Sequence, residues 1–452
     1  MSHRVVAGSP PEVARQDPGE TLSWHVLLGP KVRGVVVELF GRAQQSWGRA
    51  HIELARGLRD ARQLHSRERR AVSDALHDMT RMRRRLAFAA GLDHGEHATP
   101  SADALYLAYL AQRAPASELQ AALKTSQLDA SLLAATDERL AAIDDPLRRL
   151  ALSLSYPDWL VARLFDEMGP DEAALFLAAS NRRAPLCARA NRLKNDRATL
   201  AALLSKEGIE TRPLELAPDG LELLTHHNAY GLAAFREGRF ELQDAASQLV
   251  GEVVAPPPRS RVLDLCAGAG GKTLHLAAIL SGAGRVTACD VVDGKLEELR
   301  KRARRAGCSN VEARRIDKEG SLALGAPFER VLVDAPCTGT GVLRRNPEAR
   351  WRLRPHDVLE LPQRQLEILE RAAPLVKPEG RLVFATCSVL RAENDDVLAR
   401  FLDRNRGFEP VLLKEILGKE RGLALGDGTV LRTSPAHHDA DGFFAAVMRR
   451  VR

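Results

Sequence analysis

Two cysteines stand where a thiol could act on a substrate. Cys337 lies in the run Asp334-Ala335-Pro336-Cys337-Thr338-Gly339-Thr340-Gly341, and Cys387 in Ala385-Thr386-Cys387-Ser388. Each follows an apolar stretch of strand length, ERVLVDAP and RLVFATC. Thiols at the mouths of adjacent strands can face one substrate. Methylation at carbon-5 of a pyrimidine demands such equipment, because that carbon becomes nucleophilic only after a thiolate has added to carbon-6. A carboxyl near the base N3 must help offset the negative charge that develops, and Asp334 is placed for it. A second thiol, or a base beside it, then assists loss of the carbon-5 proton and release of the enzyme. Any one of the six cysteines (Cys187, Cys266, Cys289, Cys308, Cys337, Cys387) taken alone reads as a small buried hydrophobe. Two at strand ends argue for chemistry.

A methyl donor would need its own cradle. The strand-like residues 261–265 run into Cys266-Ala267-Gly268-Ala269-Gly270-Gly271-Lys272-Thr273, a glycine-rich turn whose backbone can pass close to a ligand and whose following helix presents free N–H groups. A nucleotide-triphosphate loop would need glycine where Cys266 stands, which argues against an NTPase. Asp290 closes the second strand, where an acid can take both hydroxyls of a ribose, and Asp317 ends the third, where it could accept from an adenine amino group. The turn alone fits nicotinamide dinucleotides as well as S-adenosylmethionine; the cysteine-bearing strands favour the latter. Lys272 could meet a cofactor carboxylate, orient catalytic groups or simply be exposed.

The elements that must position these residues fall into blocks. At about 150 residues per domain, 452 residues favour about three domains. Residues 1–20 read as a flexible leader, and 21–153 carry apolar residues at helical spacing, an all-α bundle. Residues 154–252 alternate helix and strand as a small α+β module, and the prolines at 253–260 form a linker. The catalytic block, 253–452, repeats strand, turn and helix, which predicts a parallel, doubly wound, Rossmann-like α/β sheet with ligands at the carboxyl ends of its strands.

Composition bounds the partners. Lys plus Arg total 66 against 59 Asp plus Glu, a formal charge of +7, and only 11 of the 66 are Lys. Anionic partners, bound through guanidinium forks, are thus plausible. Aromatics at 4% argue against a repeated stacking surface, and 45% hydrophobic with 28% charged residues excludes a wholly disordered chain. The first twenty residues carry charges and prolines without an apolar stretch, and no 18-residue apolar run occurs, so neither secretion nor membrane spanning is expected. Scattered thiols without a CxxC pair fit a reducing cytoplasm and no structural zinc. His226, His227, His437 and His438 lack a ligand spacing and read as exposed loop residues, so no metal is expected. Arg67, Arg69, Arg70, Arg81, Arg83, Arg84 and Arg85 are candidates for solvated faces paired with acids or for an RNA-phosphate face.

VLDLCAGAGGKT, VLVDAPCTGTGVLRRNPE and ATCS, with QDAASQLV upstream and DGFFAAVMRR at the end, resemble the RNA cytosine-5 methyltransferases of the NOL1/NOP2/Sun (NSUN) family. YPDWLVARLFDEMGP and RAPLCARANRLK resemble the segment preceding the catalytic domain in its bacterial RsmB (Sun/Fmu) branch, and the helical block resembles that branch's NusB-type RNA-binding domain. The resemblance implies that Cys387 is the nucleophile, that Cys337 assists product release and that Asp334 contacts base or cofactor. Cys266, Ala267, Gly268, Ala269, Gly270, Gly271, Lys272, Asp290, Asp317 and Asp334 would form the S-adenosylmethionine site. Arg189 and Asn191 match the family's Arg-x-Asn element and are candidates for RNA contact or for structural hydrogen bonds; Arg344 and Arg345 would flank the substrate base. The turn departs from the family's usual alanine and proline at Gly268 and Ala269, which predicts a looser loop. The expected activity is 5-methylcytosine formation in 16S rRNA by a cytoplasmic monomer, on a base taken out of its stack. The same chemistry on tRNA or another rRNA site, a non-catalytic ribosome-assembly factor, and DNA methylation with Cys337 as nucleophile remain as alternatives.

Overall fold

A computed structural model of the chain describes residues 24–451 except 94, 96–98, 125, 127, 226, 227, 319–323 and 427. The leader expected over 1–20 and the pair His226 and His227 lie outside the described residues. The described chain forms two compact units: residues up to Arg183 together with Leu343–Pro355, and Ala184–Val342 together with His356–Arg452.

The first unit is helical, as its apolar spacing predicts. Helices Pro30–Gln45, Ser66–Ala89 and Ala102–Ala111 bury Val36, Phe40, Val72, Leu76, Met79, Tyr106 and Tyr109 in one core. Ser66–Ala89 starts at a capping box in which the His65 N–H donates to Glu68 Oε2 at 2.8 Å. Its arginines correct the expectation of a wholly solvated or phosphate-facing surface. Arg81, Arg83 and Arg84 are buried, and Arg84 donates to both carboxylate oxygens of Asp158, at 2.6 and 2.9 Å, and to the Tyr156 carbonyl at 2.8 Å. These bonds reach across the boundary expected at 153/154. Helices Asp158–Met168 and Pro170–Ala179, separated at Gly169 (φ +81°), therefore belong to the helical unit. Leu343–Pro355 is gripped there too. Trp351 Nε1 donates to the Thr80 carbonyl at 2.7 Å, and the fully buried Arg350 guanidinium stacks over Tyr156 and donates to Asn181 Oδ1 at 2.8 Å. Burial lowers the Arg350 value to about 10.

The second unit holds two sheets. Strands β1 (Cys187–Ala190), β2 (Thr211–Pro213), β3 (Gly220–Leu223) and β4 (Phe240–Leu242) pair antiparallel in the order β2-β3-β1-β4, with helix Arg197–Lys206 supplying Leu200 and Leu204 to their core. The larger sheet contains β5 (Arg261–Asp264), β6 (Arg285–Asp290), β7 (Val311–Arg315), β8 (Phe328–Asp334), β9 (Val376–Thr386), β10 (Phe408–Pro410), β11 (Val430–Arg432) and β12 (Phe444–Arg450). Its order is β10-β12-β9-β8-β5-β6-β7, with β11 paired to β12. The five strands β5–β9 are parallel, as the βα rhythm predicts. The carboxyl-terminal run is a correction: β12 returns antiparallel between β9 and β10, so the sheet is mixed. β12 follows β11 with no helix between them and pairs back on it antiparallel, as a hairpin does, and Phe444–Met448 are buried like an inner strand. Four parallel strands end at Asp264, Asp290, Asp334 and Thr386, and the candidate site forms there.

Candidate active site

The glycine-rich turn is built on strain that only glycine tolerates. Gly270 sits at φ +89°, and a Cβ there would lie 2.6 Å from Leu299 Cγ. Gly268, at φ +55°, has nothing within 4 Å of where a Cβ would be, so the turn faces open space. Asp290 braces it from the end of β6: one carboxylate oxygen accepts from the Gly268 N–H and the other from the Val292 N–H, both at 2.9 Å. A looser loop is not what the structure shows. Arg302 donates to the Ala269 carbonyl at 2.9 Å, the Gly270 N–H donates to the Ala267 carbonyl at 2.9 Å, and the buried Glu241 holds Arg302 and Arg305. An open amide turn beside a carboxylate that takes one N–H on each oxygen among the described residues fits the ribose and carboxylate ends of a nucleoside methyl donor.

Behind the turn, Lys272 opens helix Gly271–Ile279 and points to the next strand end. Its ammonium meets Asp334 Oδ2 at 2.7 Å and lies 4.8 Å from the centroid of the Phe443 ring. Burial pulls the lysine value down, but the charge and hydrogen bond of Asp334 outweigh it and the net shift is upward. Asp264 beneath them is fully buried and accepts from Thr273 Oγ1 at 2.7 Å; burial raises its value to about 7.

Cys337 and Cys387 converge. Their sulfurs are 3.3 Å apart, both half-buried, and β8 and β9 are neighbours in the sheet. The charges around the pair are unequal. The Lys272 ammonium acts on the Cys387 side, and Glu393 on the Cys337 side. The hydrogen bond with Cys387, then burial, hold the Cys337 thiol well above its ordinary value. The other thiols are inert by comparison: burial pushes Cys289 up to about 12 and Cys308 to about 11, and Cys266 rises further through burial and the acids Asp264, Asp334 and Asp290.

Other residues singled out from sequence fall elsewhere. Asp317, two residues beyond β7, is exposed. Arg189 and Asn191 are buried, and the structure decides their roles as internal: Arg189 Nη1 donates to Gln243 Oε1 and the Gly271 carbonyl, and Asn191 Nδ2 donates to the carbonyls of Gly238 and Ala306, each at 2.8 Å. They tie the small sheet to the cofactor-turn helix. Arg344 is buried as well and its carbonyl accepts from Arg81 at 3.1 Å, while Arg345 is half-buried. His438 Nδ1 accepts from the Ser434 N–H at 3.1 Å within its own turn. The QDAAS motif gains a physical reason. Asp244 caps helix Ala245–Val254 and accepts from the Asp441 N–H at 3.0 Å, and Gly442 beyond it donates to the Gly341 carbonyl at 2.8 Å.

The sequence reading missed the buried acceptor Glu393, with Gln365, Thr338, Ser388 and Asn394 around it. The only local signal was an acid six residues after Cys387 in an otherwise charged stretch.

Residues 252–449 match the family described as 16S rRNA methyltransferase RsmB/F, and residues 156–229 match the ferredoxin-like domain of RsmF/B-like methyltransferases. The probable ribosomal RNA small subunit methyltransferase B of Bacillus subtilis (strain 168) is 38% identical over 312 residues, 68% of this chain and 69% of that protein. The chain belongs to the RsmB/F methyltransferase family. Among solved structures, that of PH0851 superposes with a TM-score of 0.77 at 26% identity, covering 94% of this chain and 99% of that one. A methyltransferase homolog protein from Pyrococcus horikoshii gives 0.57 at 28% identity, over 68% and 100% of the two chains. No helix among the described residues is long and apolar enough to cross a membrane.

Proposed function

We propose that this protein methylates carbon-5 of a cytosine in 16S rRNA, with Cys387 forming a transient bond to carbon-6. The observation that carries the reading is the pair of sulfurs 3.3 Å apart at adjacent strand ends, with an ammonium on the Cys387 side. Residues 266–272 and Asp290 would hold S-adenosylmethionine, which would supply an electrophilic methyl group from its sulfonium sulfur, and Asp317 stands beyond the third strand for its base. Once its proton has passed to water, the Cys387 sulfur adds to carbon-6, and the electron pair it displaces makes carbon-5 nucleophilic. The Lys272–Asp334 pair offers positive charge and a proton to the N3 side of the ring. After transfer the carbon-5 proton passes to water, and Cys337, beside the carbon–sulfur bond, assists release. The carbon-5 to carbon-6 double bond re-forms, the carbon–sulfur bond breaks, and Cys387 regains its electron pair.

Because Arg189, Asn191 and Arg344 are buried, they are not assigned to RNA phosphate, and the half-buried Arg345 and exposed Arg67 are the phosphate candidates. Substitution tests the chemistry. Cys337→Ala protein incubated with 16S rRNA and labelled S-adenosylmethionine should accumulate a protein–RNA adduct that survives denaturation, and Cys387→Ala should transfer no label. Methylation by Cys387→Ala protein would overturn the assignment. Bisulfite sequencing of the product names the cytosine, and label appearing in tRNA alone would move the substrate.

A further inference from the structure

The side chain that joins the two cysteine loops is Glu393, at the end of the short turn Arg391–Glu393 that follows Cys387. It is completely buried. Its Oε1 accepts from the Thr338 N–H at 2.9 Å and from Gln365 Nε2 at 3.0 Å; its Oε2 accepts from the hydroxyls of Thr338 and Ser388, both at 2.5 Å. Four donors fill the four lone-pair sites of a carboxylate. Thr338 is the residue after Cys337, and Ser388 the residue after Cys387, so one carboxylate clasps both loops immediately beside their sulfurs. The surrounding bonds extend the clasp: Gln365 also donates to the Pro336 carbonyl at 3.0 Å, Thr340 Oγ1 lies 3.1 Å from Ser388 Oγ, and the Gly341 N–H donates to the Cys387 carbonyl at 2.9 Å. All four donors to Glu393 are uncharged, and its charge adds to what raises the Cys337 thiol.

We propose that Glu393 is the positioning residue of the reaction: clasping both loops, it sets the spacing of the two sulfurs and makes them unequal nucleophiles, with Cys387 the one that attacks. This rests on the reading of Cys387 as nucleophile. Glu393→Gln is the near-isosteric probe. Oε1 must stay an oxygen because two fixed N–H groups point at it, so the new amide nitrogen replaces Oε2 and both hydroxyls must turn round to accept from it. Charge is lost and the hydroxyl chain reverses, while volume is kept.

The test uses the full chain and two readouts. Iodoacetamide alkylation, followed residue by residue by mass spectrometry across pH, should be faster at Cys387 than at Cys337 in the wild type. In Glu393→Gln the preference should shrink by about tenfold, the effect of one pKa unit, through faster reaction at Cys337. Methyl transfer to 16S rRNA should lose at least about tenfold in kcat, with KM for S-adenosylmethionine within about twofold, the pattern of a group that acts in the transition state. An unchanged alkylation preference, or an unchanged kcat, overturns the proposal. A preference that shrinks in Glu393→Gln, with wild-type protein that transfers no methyl group to 16S rRNA, would sink the proposed reaction and leave the effect of Glu393 on the two sulfurs standing. If Glu393→Gln does not fold, Ser388→Ala removes one donor and leaves the charge: kcat should fall about tenfold with the preference for Cys387 retained, and wild-type kcat there overturns the proposal.

Discussion

Replacing Asp334 by Asn would strip the Lys272 ammonium of its counter-charge. The lysine side chain is only 10% exposed and the aspartate 29%, so the two ends of this ion pair differ in how well water can compensate. Left with an amide, the buried ammonium either stays charged at full desolvation cost or releases its proton. Releasing it at about pH 7.5, three units below the ordinary lysine value of 10.5, costs about 4 kcal/mol, which caps the penalty; breaking buried pairs costs about 3–5 kcal/mol. We therefore expect Asp334→Asn to destabilise the second unit by about 3 kcal/mol. The sign with pH follows. In the variant the folded-state lysine value drops, the unfolded chain binds more protons than the native one, and stability rises with pH by up to about 1.4 kcal/mol per unit. In the wild type the lysine value is raised, so its contribution is intact until pH exceeds the ordinary lysine value. The deficit should roughly halve between about pH 7.5 and 9. Lys272→Met, whose thioether can pack on Phe443, leaves a carboxylate that water reaches and should cost about 1 kcal/mol, and the double variant about the same. Denaturant melts of the four proteins at two pH values measure this cycle. A penalty for Asp334→Asn below about 1 kcal/mol, or one that stays flat with pH, would refute the reasoning about which partner is the buried one.

Gly341→Ala would drive a Cβ to 2.0 Å from the Gly442 carbonyl oxygen, a backbone atom that cannot swing away. Methyl transfer should fall at least about a hundredfold, since small misplacements of reacting groups cost that much; wild-type turnover would show the contact to be dispensable. Asp264, fully buried with a value of about 7 against an ordinary 3.8, stabilises the fold most below about pH 4, and that contribution, at most about 4 kcal/mol, is lost as pH rises through 7. Asp264→Asn should flatten the slope of stability over that window, seen by denaturant titration at a series of pH values. Arg350→Met leaves the carbonyls of Arg81 and Ser155 and the Asn181 side chain without their donor, so the helical unit should lose about 3 kcal/mol and become more protease-sensitive; an unchanged digestion pattern would argue against it.

What was legible from sequence is local. A turn needs its glycines, a parallel sheet needs its repeated strand-turn-helix runs, and a residue at a strand end is recognisable because the apolar run stops there; Cys337, Cys387, Asp290 and Asp334 could be placed for that reason. Other outcomes depended on which distant segment fills a buried donor or acceptor. Arg189 turned inward because the Gly271 carbonyl, 82 residues away, lies within reach at 3.0 Å. Arg84 drew helix Asp158–Met168 into the helical unit through a carboxylate 74 residues away, and β12 reversed because its pairing edge is β9. Glu393 had no motif to mark it, since four neutral donors from three separate segments make it a clasp only once the sheet has formed. Burial makes each unmet polar group costly, and the chain meets that demand in three dimensions, by contacts that spacing along the sequence does not encode.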